Sequence, residues 1–435
     1  MTTTTEDSKE TILRPLGANE HVVDYYMHRN PTQFSLVAEV TTPVTAQTLG
    51  AALKQLQQRH PLLAVAVTDS ATPAAAFRKT DRAVPVEERP AGTPWQAVVA
   101  DEQTRPIPPE PGPLVRAVLV PAEAGSTVVL TFAHQISDGV GGLQALLDLV
   151  SVLDGATLAA GDVPQPQEEL LARQGVTRAD AQADPGTQQS ATAAGRAAPD
   201  GGAAAPPEAD ARMGATGELL PFTGRTPHLT SLALDSGLTS RLVARARGEQ
   251  SSVHAALCAA ASLAFHRRGR EFVRVLSPMD LRRAVGRPAE TVVRFAGAKT
   301  ASDGRDGDDL WSLARSHHRA LSAQRTPQAI AEGSAVLAEQ APDSPEGVEA
   351  MMAAATAADI QITNLGVAQP HASGTGILAA LWGPAQLTQL RGEHLLGVVT
   401  VNGRLRMTEL THDPLAGLVT EIATLLAEAC AEPNT

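Results

Sequence analysis

Between residues 183 and 211 the chain contains no Leu, Ile, Val, Phe, Trp or Tyr. Such a run of Ala, Gly, Pro, Gln and Asp cannot bury enough apolar area to offset the entropy of ordering it. The run divides the 435-residue chain near its middle. The expectation is an N-terminal lobe over 1–174, a flexible connector over 175–217 and a C-terminal lobe over 218–435, each lobe of ordinary domain size. Apolar residues make up 43% of the chain and aromatics only 3%, so the two cores must be built from Ala, Leu and Val.

On both sides of the connector, helix and strand patterns alternate. Leu49, Leu53 and Leu56 share a helical face over 46–59, which His60-Pro61 ends. Strand-like runs follow at 114–120 and 126–132, with Ala124-Gly125 turning between them. Residues 139–153 return to helical spacing through Leu143, Leu146, Leu147 and Val150. In the second half, 229–234 predicts a strand and 236–247 a helix, and Ser252 caps an Ala-rich helix. Further strands are expected at 272–277, 291–296, 358–363, 394–401 and 403–410. A last helix is expected with Asp413 as cap and Pro414 at its first position. The fold class is α/β.

Several function classes fall away on composition. A formal net charge of −12 argues against a nucleic-acid partner. Two cysteines, Cys258 and Cys430, exclude a disulfide framework and a Cys-based zinc site. Met1 to Glu10 is Thr-rich and charged, unlike a signal peptide. No apolar run reaches the roughly 18–20 residues of a membrane span. The expected setting is the cytoplasm.

The segment from Thr127 to Gly142, TVVLTFAHQISDGVGG, is the most informative about chemistry. An apolar strand runs into a loop holding His134 and Asp138, and Gly139, Gly141 and Gly142 open the next helix. A histidine at a rigid strand end is well placed as a general base, because neutral imidazole accepts a proton near pH 7. The glycines are expected to supply positive φ and close backbone approach. Chance alone gives about 0.05 matches to H-x-x-x-D-G in a chain of this composition. The plainer reading of the same residues is a core histidine at a tight turn.

This motif resembles the H-H-x-x-x-D-G signature of the CoA-dependent acyltransferase superfamily, which includes condensation domains, chloramphenicol acetyltransferase and polyketide-associated acyltransferases. Four more landmarks stand in the family's order: Arg59 to Leu63 (RHPLL), the Ala-rich helix from Ser252 to Phe265, Pro278 to Arg282 (PMDLR) and Thr363 to Gly366 (TNLG). The first histidine of the pair is Ala133 here. The family's chemistry rests on the second, which is His134. The resemblance implies a two-lobed, chloramphenicol-acetyltransferase-like fold with a central channel between lobes. It implies catalysis by His134 as base, with the Gly139 amide as an oxyanion donor. It also implies a structural Asp138–Arg282 salt bridge and Asn364 lining the channel.

The reaction so implied moves an acyl group from a CoA or carrier-protein thioester to a small-molecule alcohol or amine. No cofactor is required; acyl-CoA or a phosphopantetheinyl carrier protein is the co-substrate, and an acyl carrier protein is a possible partner. Amide-forming condensation on carrier-bound substrates is one alternative, and a non-catalytic docking member of the family is another. Other constellations are weaker. Gln144 stands where a dinucleotide loop needs its third glycine. Asp303 to Asp309 lacks EF-hand spacing. His317-His318, adjacent on a helix, point apart and make poor joint metal ligands. Arg267 to Arg270 and Arg282-Arg283 are basic clusters that read either as a site for a CoA phosphate or an acidic carrier protein or, more commonly, as surface charge with no ligand.

Overall fold

The computed structural model describes residues 11–173, 208–287, 290–369 and 376–431. The first half contains β1 (Ile12–Pro15), α1 (Ala18–Met27), β2 (Phe34–Val40), α2 (Ala46–Arg59), β3 (Val65–Thr68), β4 (Ala76–Lys79) and β5 (Val86–Glu88). It continues through α3 (Trp95–Glu102), β6 (Val115–Ala122), β7 (Gly125–Phe132), α4 (Gly139–Leu153) and α5 (Gln167–Arg173). The second half opens with α6 (Glu208–Met213), β8 (His228–Ala233), α7 (Ser236–Gly248), α8 (Val253–His266), β9 (Phe272–Asp280) and β10 (Phe295–Asp303). Then come α9 (Leu310–Gln324), α10 (Pro327–Gln340), α11 (Pro345–Ala355), β11 (Ile360–Val367), β12 (Leu378–Gln386), β13 (His394–Val401), β14 (Arg404–Thr411) and α12 (Leu418–Ala429). Most of the connector, 175–207, lies outside the described residues.

Two mixed sheets organise the lobes. The first has the order β12-β2-β7-β6-β5 and the second β10-β9-β11-β13-β14-β8; β1-β4-β3 form a small antiparallel sheet. In the first lobe β7 is paired on both edges, with Phe132 opposite both Val115 of β6 and Phe34 of β2. Its residues are buried except at Thr127. Leu49, Leu53 and Leu56 of α2 and Leu143, Leu146, Leu147 and Val150 of α4 share its core, as their spacing predicts. A strand held on both edges and buried in the core gives the loop after it a fixed starting point.

The second lobe is built around α8. Ser252 Oγ accepts from the Ala255 N–H (3.1 Å), and every residue from Ala255 to Phe265 is buried. Alanine on nearly every side lets the sheet, α9 and α12 all approach the same helix, and their side chains form one core with it.

The two halves exchange chain. β12 belongs to the second half by sequence but pairs antiparallel with β2, Leu381 opposite Ala38. Where it passes β13, a Cβ on Gly397 would stand 2.0 Å from the Pro384 carbonyl oxygen, so only glycine fits. In return Leu170 and Leu171 of α5 pack on Leu281, Val285 and Ile330 of the second half.

Two expected boundaries are corrected. The strand expected at 291–296 is β10, which starts only at Phe295. Val292 is apolar because it joins the first lobe's core. The last helix begins at Leu418, after Gly417 in the left-handed region (φ 69°). Asp413 does not cap it; its carboxylate accepts from the Gly392 N–H (3.1 Å).

Candidate active site

Beyond β7, Ala133 is fully buried in the first core and its N–H donates to the Leu114 carbonyl (2.9 Å). His134 follows. Its ring sits between Phe34 of β2 and Phe295 of β10, at 5.4 Å between centroids in each case, so both lobes touch it. Burial lowers its pKa below the ordinary histidine value. The carbonyls of His134 and Ser137 and the Asp138 carboxylate pull the other way without reversing this. The imidazole is therefore neutral near pH 7. Nδ1 is buried without a well-formed hydrogen bond.

Asp138 terminates the loop and starts α4. Its Oδ1 accepts from the Gly141 N–H (2.8 Å), a helix N-cap. Its Oδ2 accepts from Arg282 Nη1 (2.9 Å) and the Arg294 N–H (2.7 Å), both from the second half. Arg282 is itself buried, with Nη1 also on Asp280 (2.9 Å) and Nη2 on the carbonyls of Glu290 and Val292 (2.8 Å each). The expected partners thus meet across the lobes, and no solvent-facing guanidinium remains at Arg282 for a phosphate.

The three glycines act through space, not through φ: none has positive φ, which corrects half of the sequence expectation. A Cβ on Gly139 would stand 2.9 Å from Leu365 Cδ2. One on Gly141 would stand 2.7 Å from Ser137 Oγ and 2.9 Å from the Glu290 carbonyl, and one on Gly142 2.7 Å from the Phe34 ring. Bare backbone is what lets the second lobe reach the start of α4. The Gly139 N–H lies in the first turn, where a helix offers unpaired donors and the positive end of its dipole.

Asn364, on β11, turns its Oδ1 back to the Gly366 N–H (2.9 Å), with Gly366 at φ 76°. It shapes the turn that carries Leu365 to Gly139. His60 proves to be a second tie between halves. Its Nε2 donates to Asp148 Oδ2 of α4 (2.8 Å), and its Nδ1 lies 3.0 Å from Thr291 Oγ1, which donates to the Gly141 carbonyl (3.1 Å). Sequence reasoning missed this link and the Arg294 amide. An acid at position 148, inside the run Leu146 to Val150, was the available signal, because a buried carboxylate needs a partner.

Gln135 is held from behind: its Nε2 donates to Asp24 Oδ1 (2.7 Å). It lines a cavity of about 690 Å³ between the end of α1, the 106–109 segment and residues 219–222. The other sequence clusters are occupied structurally. Arg268 pairs with Glu421 and Arg270 with Asp359 (3.2 Å). Arg305 folds onto Asp303 and holds that carboxyl well below the usual range. His317 is buried between Thr300 and Ser262. Among the described residues no cluster of His, Cys, Asp and Glu could hold a metal, and no helix is long and apolar enough to cross a membrane.

Comparison with known proteins agrees with this architecture. The model of the phthiocerol/phthiodiolone dimycocerosyl transferase C-terminus matches residues 223–381. No curated protein matches by sequence. Polyketide synthase associated protein 5 from Mycobacterium tuberculosis is similar in structure (TM-score 0.65, 18% identity, 97% of this chain and 99% of that one). So is the first condensation domain of the calcium-dependent antibiotic synthetase (TM-score 0.67, 14% identity, 97% and 98%). An epimerization domain of tyrocidine synthetase B also matches (TM-score 0.60, 12% identity, 98% and 97%), so the fold alone does not choose the reaction. The motifs and the structure agree: the chain has the two-lobed α/β fold of the CoA-dependent acyltransferase and condensation-domain superfamily.

Proposed function

We propose that this protein is an acyltransferase that moves an acyl group from a CoA or carrier-protein thioester to an acceptor hydroxyl, in natural-product or lipid biosynthesis. The observation that carries the reading is His134: a neutral, largely buried imidazole at the end of a clamped strand, touched by an aromatic ring from each lobe. In this mechanism His134 Nε2 takes the hydroxyl proton as the oxygen attacks the thioester carbonyl. The tetrahedral oxyanion is met by the Gly139 N–H at the start of α4. Collapse expels the thiolate, which recovers the proton from the imidazolium. No side-chain nucleophile and no cofactor enters the balance. Asp138 and Arg282 hold the loop, and Asn364 shapes the opposing turn.

The test is acyl transfer by purified protein, followed as acceptor-dependent thiol release from acyl-CoA or from an acylated carrier protein. His134→Ala should retain its circular dichroism spectrum and lose transfer by about 10²–10⁴-fold, the scale of a lost general base. Because burial lowers the His134 pKa, the wild-type rate should fall with acid only below the usual histidine range and stay flat above it. His134→Ala with activity within a few-fold of wild type would remove the general-base assignment.

A further inference from the structure

The backbone of the His134 loop is firmly held, yet those bonds do not fix the ring itself. Rotation of a histidine ring about Cβ–Cγ has only broad, roughly two-fold preferences, so a base that must present one nitrogen needs an outside hold. The common hold is a hydrogen bond at the other nitrogen. Here Nδ1 is buried without one. Asp24 on Gln135 Nε2 (2.7 Å) and the Arg282 and Arg294 donors on Asp138 secure the neighbouring residues, not the imidazole.

The contacts on the ring are aromatic. The imidazole is inclined at 63° to Phe34 and at 43° to Phe295, with 5.4 Å between centroids in each pair. Phe34 is a fixed wall, buried and stacked on Phe132 at 5.1 Å. Three of the seven phenylalanines in this aromatic-poor chain thus gather around one histidine. Phe295 differs from the other two. It is only partly buried and belongs to neither lobe's main core, so core packing does not account for its ring. Its place is set by the joint between the halves: the Arg294 N–H bonds Asp138, and the next residue lays its ring against His134. Asp138 is the charged group that acts on the imidazole, and it is already bonded to Arg282 and the Arg294 N–H. The Arg294 side chain pairs with Glu290 (2.7 Å), and Gln33 and Ser35, on either side of Phe34, are uncharged.

We infer that Phe295 is a positioning residue for the base: with Phe34 it holds the rotation of the His134 imidazole that a hydrogen bond at Nδ1 would otherwise set. The first half supplies the base and the second half holds its ring. The effect on rate rests on the proposed role of His134 in acyl transfer; the hold on the ring does not.

The full chain is labelled with ¹³C at histidine Cε1, and the His134 signal is the one missing from His134→Ala. Relaxation in wild type should report a rigid ring. In Phe295→Ala the ring should gain nanosecond motion, and its pKa should rise toward the usual histidine value as water replaces the phenyl group. Phe295→Leu, which keeps apolar bulk but has no flat face, should loosen the ring as well. Phe295→Tyr, which keeps the ring, should match wild type. In acceptor-dependent thiol release Phe295→Ala should lose about 10–10²-fold in kcat, the scale of a slightly misplaced catalytic group, with kcat/KM falling equally. Circular dichroism and melting establish that each variant is folded. A rigid His134 ring in folded Phe295→Ala and Phe295→Leu would overturn the inference. So would a raised KM at unchanged kcat, which would make Phe295 a wall for substrate. If His134→Ala transfers as fast as wild type, the base role falls, and the relaxation data still decide what holds the ring.

Discussion

Asp138→Asn is the sharpest perturbation of the joint between the lobes. The wild-type carboxylate receives three donors, from Gly141, Arg282 and Arg294. Asparagine keeps Oδ1 as the cap on α4 but turns an NH₂ toward two donors, and it leaves the buried Arg282 charge opposed only by Asp280. Removing one partner of a buried pair costs about 3–5 kcal/mol. At about 2.1 cal/mol/K of unfolding entropy per residue, 435 residues give about 0.9 kcal/mol/K, so the melting temperature should drop by about 3–6 °C. Asp138→Ala also loses the cap, about 1 kcal/mol more, and should melt about a degree lower still.

Differential scanning calorimetry on the three proteins reads these shifts. Asp138→Asn/Arg282→Met, which removes both charges, should be less destabilised than the sum of the single variants, as a coupled pair requires. An Asp138→Asn melting temperature within a degree of wild type would refute the argument that this pair holds the lobes. If transfer were abolished at that unchanged temperature, Asp138 would belong to the chemistry and not to the frame.

Two further outcomes follow from the same structure. Gly141→Ala should destabilise by about 1–3 kcal/mol, because its Cβ meets the Glu290 backbone carbonyl at 2.9 Å, whereas Gly139→Ala meets the end of the rotatable Leu365 side chain and should cost less; equal melting temperatures would remove the distinction. Burial pushes the Glu393 carboxyl up to about 7 against bonds from Thr388 and Leu390. Its folded pKa exceeds the unfolded value, so its contribution to stability is complete below pH 4.5 and is lost as pH rises through 7. Melting curves between pH 4.5 and 8 should therefore decline with pH in wild type and decline less in Glu393→Gln. A parallel decline in both would clear Glu393 of the effect.

Local patterns were legible in the sequence where one helix or strand buries one face. The Leu49-Leu53-Leu56 stripe, the β6–β7 hairpin and the Ser252 cap all stand where spacing and cap chemistry put them. What spacing could not carry is which sheet a strand joins. β12 is not among the strands expected from the sequence, and nothing in Leu378 to Gln386 announces that its partner is β2, more than 300 residues earlier. The apolar run from Thr291 misled for the same reason. Val292 is apolar because it is buried, but it is buried in the other lobe's core as part of a loop.

The motif residues divide along that line too. The H-x-x-x-D-G spacing picks out one strand–loop–helix unit, and its pattern is local. Its rigidity is not. Asp138 is fixed by Arg282 and the Arg294 amide, Gly141 by Thr291 Oγ1 on its carbonyl, and His60 by Asp148 and Thr291. These contacts converge on the loop between β9 and β10, which grips the start of α4 from the second half. R-H-P-L-L and P-M-D-L-R stand more than 200 residues apart in sequence and come together through one helix. The loop holding His134 is therefore set by both lobes at once. A shift of one lobe against the other would move Asp138 and the His134 loop together.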